Sequence, residues 1–258
     1  MIKKIFSLFI FVLVVTNNGC DVISESDRIV EMDEVIPLKK VLLLEFTDQD
    51  CINCLKAATE ANKIKGYYGD NFVTVSVHAS ARRFPLRTPE GNEYENHFGI
   101  IFHPTGVIDG VSISSDFALW DGLVRDRFNV SSSLSMDLSL DYDTETRELI
   151  ITSEMKGLKN ISDAKLLFWI IENNVIDWQR ISETEINYEY QHNHVFRAPV
   201  NGTWGEDFSI QYDEVKQLRH TYILKENWDK ENISIIVFIY NIRSNEVFDV
   251  EEIQLENN

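Results

Sequence analysis

Positive charge is scarce in this sequence. Lys and Arg number 24 against 42 Asp and Glu, a net charge of −18 at neutral pH. A chain of that sign repels phosphate backbones and no basic patch offsets it, which speaks against nucleic acid as a partner. Long hydrophobic runs are also missing. The run from Ile5 to Val15 is too short to span a bilayer as a stable helix. No internal repeat, phosphate-binding loop, paired-carboxylate motif or Ser/His/Asp constellation stands out, and no cofactor is expected. Cysteine is limited to Cys20, Cys51 and Cys54, so thiol chemistry has few places to occur.

What is present points to an exported, folded protein. A hydrophobic content of 44% with 11% aromatics fills real cores, and 258 residues suffice for two modest domains. Lys3 and Lys4 precede the apolar run, which has the length of a secretory segment and ends at Thr16-Asn17-Asn18-Gly19-Cys20. Small Gly19 before a cysteine looks like a lipoprotein cleavage site, although Asn17 departs from the usual aliphatic residue. Residues 1–19 are therefore expected to be a signal peptide, and Cys20 to be acylated and to hold the chain on a membrane. Cys51 and Cys54 pair by spacing, which leaves Cys20 as the odd cysteine. The acidic, polar stretch 20–36 reads as a lipidated tether.

Two regimes follow. Val41-Leu42-Leu43-Leu44-Glu45-Phe46 is almost continuously apolar, as a strand buried on both faces would be. Leu55, Ala58, Ala61, Ile64 and Tyr68 recur at helical spacing, with Gly66 and Gly69 as stop signals. Residues 72–77 form a second strand. An irregular excursion over 79–99 holds a short helix near Tyr94, a strand pair lies around 100–108 with a turn at Asp109-Gly110, and a helix over about 115–128 closes a layered α/β domain, 37–131. From 134 to 258 period-two runs alternate with polar turns. They predict an all-β, immunoglobulin-like sandwich with strands near 138–142, 149–151, 165–171, 193–198, 221–225, 233–240 and 246–253, and with one helix candidate at Tyr212–Leu218.

Cys51-Ile52-Asn53-Cys54 falls where the first strand passes into the first helix. A helix N-terminus stabilises a thiolate through its unpaired N–H groups and partial positive charge. Two intervening residues let a second sulfur attack a mixed disulfide formed by the first. Cys51 is thus the expected nucleophile and Cys54 the more buried resolving thiol.

Residues 41–110 resemble a thioredoxin-like domain. That resemblance implies that Glu45 is the buried acid managing the proton of Cys54. It also implies that Pro104, in His103-Pro104-Thr105-Gly106, is a cis-proline facing the disulfide and positioning an incoming peptide. The chain as a whole resembles the twenty-eight-kilodalton outer-membrane protein family of Bacteroidetes lipoproteins. The carrying segments are Leu44-Glu45-Phe46-Thr47 through Cys54, Val77-His78-Ala79, Leu86-Arg87-Thr88-Pro89, His103 to Gly106, His192-Asn193-His194-Val195 with Arg197, and Gly202-Thr203-Trp204-Gly205. This resemblance implies a lipid anchor in the outer membrane, with signals for the cell surface. Against the thioredoxin pattern, Asp50 replaces an aromatic and Asn53 a proline. A carboxylate beside Cys51 should oppose the thiolate.

Three roles for the pair stay open: exchange with protein thiols and disulfides, an inert staple, or metal binding. The metal form would be a Cys51/Cys54/His103 site suited to copper. With a staple, the chain would be a surface binding or adhesion lipoprotein whose β-domain meets a protein ligand. His192 and His194 are expected to share one strand face as a surface or interface pair. His78 and His97 are expected to pack or hydrogen-bond near the site, Trp204 to anchor a turn in the sandwich, and Arg82, Arg83 and Arg87 to lie in a solvated loop.

Overall fold

The computed structural model describes residues 38–79 and 84–256. The segments read as signal peptide and tether, with Cys20, Arg82 and Arg83, lie outside the described residues. Strand β1 (Val41–Thr47) is buried along its whole length. It lies between β2 (Phe72–His78), its parallel partner, and β3 (Thr105–Ile108), its antiparallel one. The parallel crossover is helix α1 (Cys54–Tyr68), which buries Cys54, Ala57, Ala61 and Ile64 at three-to-four spacing and stops at Gly69, φ 55°. Helix α2 (Pro89–His97) starts at Thr88, whose side chain accepts from the Gly91 amide. Strand β3 turns into β4 (Ser112–Ser114) through Asp109 and Gly110, at φ 48° and 73°, a left-handed pair that suits a tight hairpin. Helix α3 (Trp120–Arg127) follows. The strand pair expected from residue 100 begins only at Thr105, after a loop that contains the cis His103–Pro104 peptide.

The second regime is nearly all strand: β5 (Leu134–Tyr142), β6 (Glu148–Gly157), β7 (Ile161–Glu172), β8 (Val175–Arg180), β9 (Ile186–His192), β10 (Val195–Pro199), β11 (Glu206–Ile210), β12 (Val215–Ile223), β13 (Ile233–Asn241) and β14 (Val247–Gln254). The helix expected at Tyr212–Leu218 is instead a turn and the start of β12, held to β6 by the pairing of Val215 with Lys156 through Ile223 with Glu148.

A nine-stranded sheet runs β14-β13-β7-β10-β2-β1-β3-β4, with β11 also paired to β7. It crosses the boundary read at 131–134 without a break, since Val195 of β10 pairs with Ser76 of β2 and the Ser76 amide donates to the His194 carbonyl at 2.8 Å. The described residues form one compact unit. The reason is visible in β7 and β13, which are apolar on both faces. Leu166, Phe168, Ile170, Ile233, Ile235, Val237 and Ile239 face the three-stranded sheet β12-β6-β5. Leu167, Trp169, Ile171, Ile236 and Phe238 face the other way, in one core with Leu42, Leu44, Phe46, Val73, Val75 and Tyr94. A third core lies under α1 and α3, around Leu43, Ile64, Phe72 and Trp120. The sheet is therefore a middle layer, buried from both sides.

Buried charge ties the two regimes together. Lys39 Nζ lies 2.6 Å from Asp109 Oδ2 and donates to the Val247 carbonyl at 2.5 Å. Arg127 bridges Asp109 at 2.9 Å and Glu246 at 2.6 Å.

Candidate functional site

Helix α1 begins at Cys54, and Cys51 is the third residue before it, joined to it in a disulfide. Cys54 is 3% exposed, whereas Cys51 is only half-buried. The backbone N–H of Cys54 donates to Cys51 Sγ at 3.1 Å. The helix head thus points a donor at the outer sulfur, as thiolate stabilisation requires.

The face of β1 and β2 under this helix head changes character along the strands. Val41 pairs with Phe72, Leu43 with Thr74, Glu45 with Ser76 and Thr47 with His78, so an apolar pair gives way to a mixed one and then to polar ones toward the disulfide. Glu45 is 2% exposed. Burial pushes its carboxyl up to about 8, and Ser76 Oγ, 3.5 Å from Oε2, pulls weakly the other way. Its Oε1 has no hydrogen-bond partner. A polar cavity lined by Cys54, Thr47, Ser76, His78, Tyr190 and His192 lies beside it. His78 and His192 meet edge to face at 5.3 Å. Burial, followed by His192 and Arg197, holds His78 well below its ordinary range, so the imidazole is neutral at pH 7.

Sequence reasoning missed the hairpin β8–β9, which closes over this site. Gln179 Nε2 donates to the Cys51 carbonyl at 3.1 Å, and the Arg180 amide to the Gln49 carbonyl at 2.8 Å. Gln49 Nε2 returns a bond to the Trp178 carbonyl at 2.8 Å. Arg180 Nε lies 2.5 Å from Asp50 Oδ1. The available signal was the alternation Ile186, Tyr188, Tyr190, His192, too polar between to stand out.

Pro104 is buried and cis, one residue before Thr105, which pairs with Phe46 near the end of β1. It therefore lies at the sheet end from which the Cys51 loop leaves. Phe102, two residues earlier, is 68% exposed. His103 is turned away to Glu95, its Nε2 2.7 Å from Oε1. Among the described residues no three His, Cys, Asp or Glu side chains converge as metal ligands. In this structure the two sulfurs are bonded to each other and the His103 imidazole is held by Glu95, so Cys51, Cys54 and His103 are not arranged as the copper ligands expected from the sequence.

The remaining histidines differ from expectation. His192 ends β9 and is 6% exposed, and His194 lies beyond the strand at φ 56°; both line the polar cavity beside Cys54 and do not form a pair on an open strand surface. Burial lowers the His194 imidazole to about 4. His97 is exposed and remote from the disulfide, bonded to Asn245 at 3.0 Å and packed on Trp204 at 4.8 Å. Trp204 anchors its turn against α2, through Tyr94 at 5.3 Å, and not within the sandwich. Arg87 is engaged with Asn92 at 2.9 Å.

These features define a mostly β protein with few helices and a Cys-x-x-Cys disulfide at the head of one of them. Residues 91–258 match the family described as Outer membrane protein Omp28, and the chain belongs to that family. Membership places it at the outer membrane as a lipid-anchored protein. The matched segment begins after Cys51 and Cys54. No curated protein matches the sequence. Among solved structures, HBP35 of Porphyromonas gingivalis is similar at 16% identity, with 85% of this chain and 76% of that one covered and a TM-score of 0.71. Protein AGR_C_4864 from Agrobacterium tumefaciens is similar at 11% identity, over 86% and 96%, with a TM-score of 0.55. A domain of the outer membrane lipoprotein Omp28 from Porphyromonas gingivalis matches at 24% identity over 48% and 89%, with a TM-score of 0.37. At these identities the first two likenesses are ones of fold.

Proposed function

We propose that this outer-membrane protein exchanges disulfides with protein thiols through Cys51 and Cys54, on a thioredoxin-like unit spanning residues 37–131. The observation that carries the reading is the asymmetry of the pair. Cys51 is half-buried and its sulfur receives the Cys54 amide at 3.1 Å, whereas Cys54 is 3% exposed.

In the reducing direction, the Cys51 thiolate attacks a substrate disulfide and expels one substrate thiolate, leaving a mixed disulfide. The Cys54 thiolate then attacks Cys51 Sγ, the second substrate thiolate leaves, and the Cys51–Cys54 bond forms. Two electrons pass to the substrate, and an external thiol restores the pair. Glu45, brought near neutral pH by burial, assists the proton transfer from Cys54. Pro104 offers the backbone beside which a substrate strand lies. The acyl chains on Cys20 hold this unit to the membrane, and the acidic stretch after it directs the protein to the cell surface.

A second reading has one observation in its favour. The β8–β9 hairpin lines the cavity beside Cys54 and holds the Cys51 carbonyl through Gln179, as it would in a binding lipoprotein that keeps its disulfide permanently closed. The two readings separate in a trapping experiment with the full-length protein in detergent. Reduced Cys54→Ser should accumulate a mixed disulfide with insulin chains, wild type should turn insulin over with dithiothreitol, and Cys51→Ser should do neither. Equal behaviour of all three proteins removes the exchange mechanism and leaves the binding role.

A further inference from the structure

The loop that delivers Cys51 to the helix is acidic. Asp48 and Asp50 lie within three residues of the sulfur, and the Asp50 amide donates to Asp48 Oδ1 at 2.7 Å. A carboxylate next to a nucleophilic cysteine disfavours its thiolate, which the helix head is built to favour. The sequence therefore contains a conflict. The fold resolves it from a distance of 130 residues, by bringing Arg180 Nε to 2.5 Å from Asp50 Oδ1.

Three further bonds hold the guanidinium's strand in that position. The Arg180 amide donates to Gln49, Gln49 Nε2 donates to Trp178, and Gln179 Nε2 donates to the Cys51 carbonyl. The Gln49 side chain also accepts from the Leu86 amide at 3.2 Å. Residues 49 to 51 and 178 to 180 are thus laced together, and Asp50 and Arg180 are both half-buried, at 23% and 29% side-chain exposure. An ion pair so placed is less screened than a surface one.

We infer that Arg180 is a positioning residue for the redox pair, acting through Asp50. Its guanidinium neutralises the carboxylate beside Cys51, so that the helix head can keep the outer sulfur ionised at neutral pH. The inference deepens the exchange reading and rests on Cys51 being the nucleophile. Other titratable or charged groups on the elements around the pair are Asp48 on its own loop, Lys56 in the first turn of α1, Glu45 on β1, His78 on β2, Asp177 on β8, His192 on β9, and the Glu95–His103 pair beside Pro104. None of these is altered in the variants below, so they form a constant background.

The test is the pH profile of iodoacetamide alkylation of the dithiothreitol-reduced, full-length protein, read on the Cys51 peptide by mass spectrometry. Arg180→Met should raise the apparent pKa of Cys51 by roughly one unit, and Asp50→Asn should lower it by about as much. The double variant should return close to wild type, and Arg180→Lys should stay close to it. Opposite signs are the decisive feature. Loss of a merely structural hairpin anchor would move Arg180→Met and Asp50→Asn in the same direction, and that result overturns the inference, as does an unmoved pKa in Arg180→Met. The measurement needs no substrate. Shifts of opposite sign in a protein that traps no insulin would retain the Arg180 assignment and discard disulfide exchange.

Discussion

Glu45 and Ser76 face each other across neighbouring parallel strands, Ser76 Oγ 3.5 Å from one carboxyl oxygen while the other has no hydrogen-bond partner. An ionised carboxylate in that place would be poorly compensated, and the acid accordingly holds its proton to about pH 8 when folded, against 4.5 in its ordinary range. The folded chain binds the extra proton between those values. The stabilising contribution is complete below 4.5 and is lost as pH rises through about 8, at about 1.4 kcal/mol per pH unit. Urea unfolding of the oxidised protein at pH 6 and pH 9 should show this decline. Glu45→Gln should flatten it and should be the more stable protein at pH 9. A wild-type and variant difference that does not change with pH would show Glu45 to be ionised throughout.

The disulfide closes a loop of only four residues, because its cysteines are three positions apart. On chain-entropy grounds its loss costs about 2 kcal/mol, well below what a long-loop bridge provides. Cys51→Ser/Cys54→Ser should therefore keep the native far-ultraviolet circular dichroism and lose about that much in urea. Complete unfolding of the double variant would mean that the bond is needed to hold the strand–helix corner.

Asp109 is fully buried and serves four groups. It meets Lys39 Nζ and Arg127 Nε, accepts from the Leu42 amide at 3.0 Å, and its carbonyl receives the Val247 amide at 2.9 Å. Asp109→Asn leaves a buried lysine without its counter-charge, for which a loss of roughly 3–5 kcal/mol is expected. Asparagine tolerates the φ of 48° at this position, so the loss reports charge and not backbone strain. Lys39→Met in the same chain should restore part of the stability.

Gly110 has φ 73°, and a Cβ there would meet the Asn245 carbonyl oxygen at 2.0 Å. Gly110→Ala must push the β3–β4 turn away from the β13–β14 turn, and a destabilisation of about 1–3 kcal/mol is expected. Because one sheet joins the two regimes, the Trp120 and Trp169 environments should be lost in a single transition. Fluorescence and circular dichroism midpoints that separate in this variant would indicate two independently folding halves.

Local pattern accounted for much of the first regime. The apolar run 41–46, the spacing of Ala61 and Ile64, and the turn at Asp109-Gly110 each depend on neighbours in sequence, and each is found where it was expected. The second regime was less legible. Strands β7 and β13 read as ordinary sandwich strands, yet runs such as Ile235-Ile236-Val237-Phe238 carry apolar side chains on both faces and mark a layer covered twice. Strands β8 and β9 escaped notice because their surfaces are mixed: Ile176 is 58% and Tyr188 73% exposed.

The sequence by itself determined the Cys-x-x-Cys pair, its place at a strand–helix junction, which cysteine is inner and which outer, and the acidic residue beside it, since all of these are set by spacing over a few residues. Only the tertiary structure decided what surrounds the pair. The neutral histidine pair behind Cys54, the isolated Glu45 carboxyl and the Arg180 partner of Asp50 each depend on contacts between segments far apart in the chain. Such contacts form because β7 and β13 must bury two apolar faces, and burying them draws the hairpin of the second regime onto the cysteines of the first.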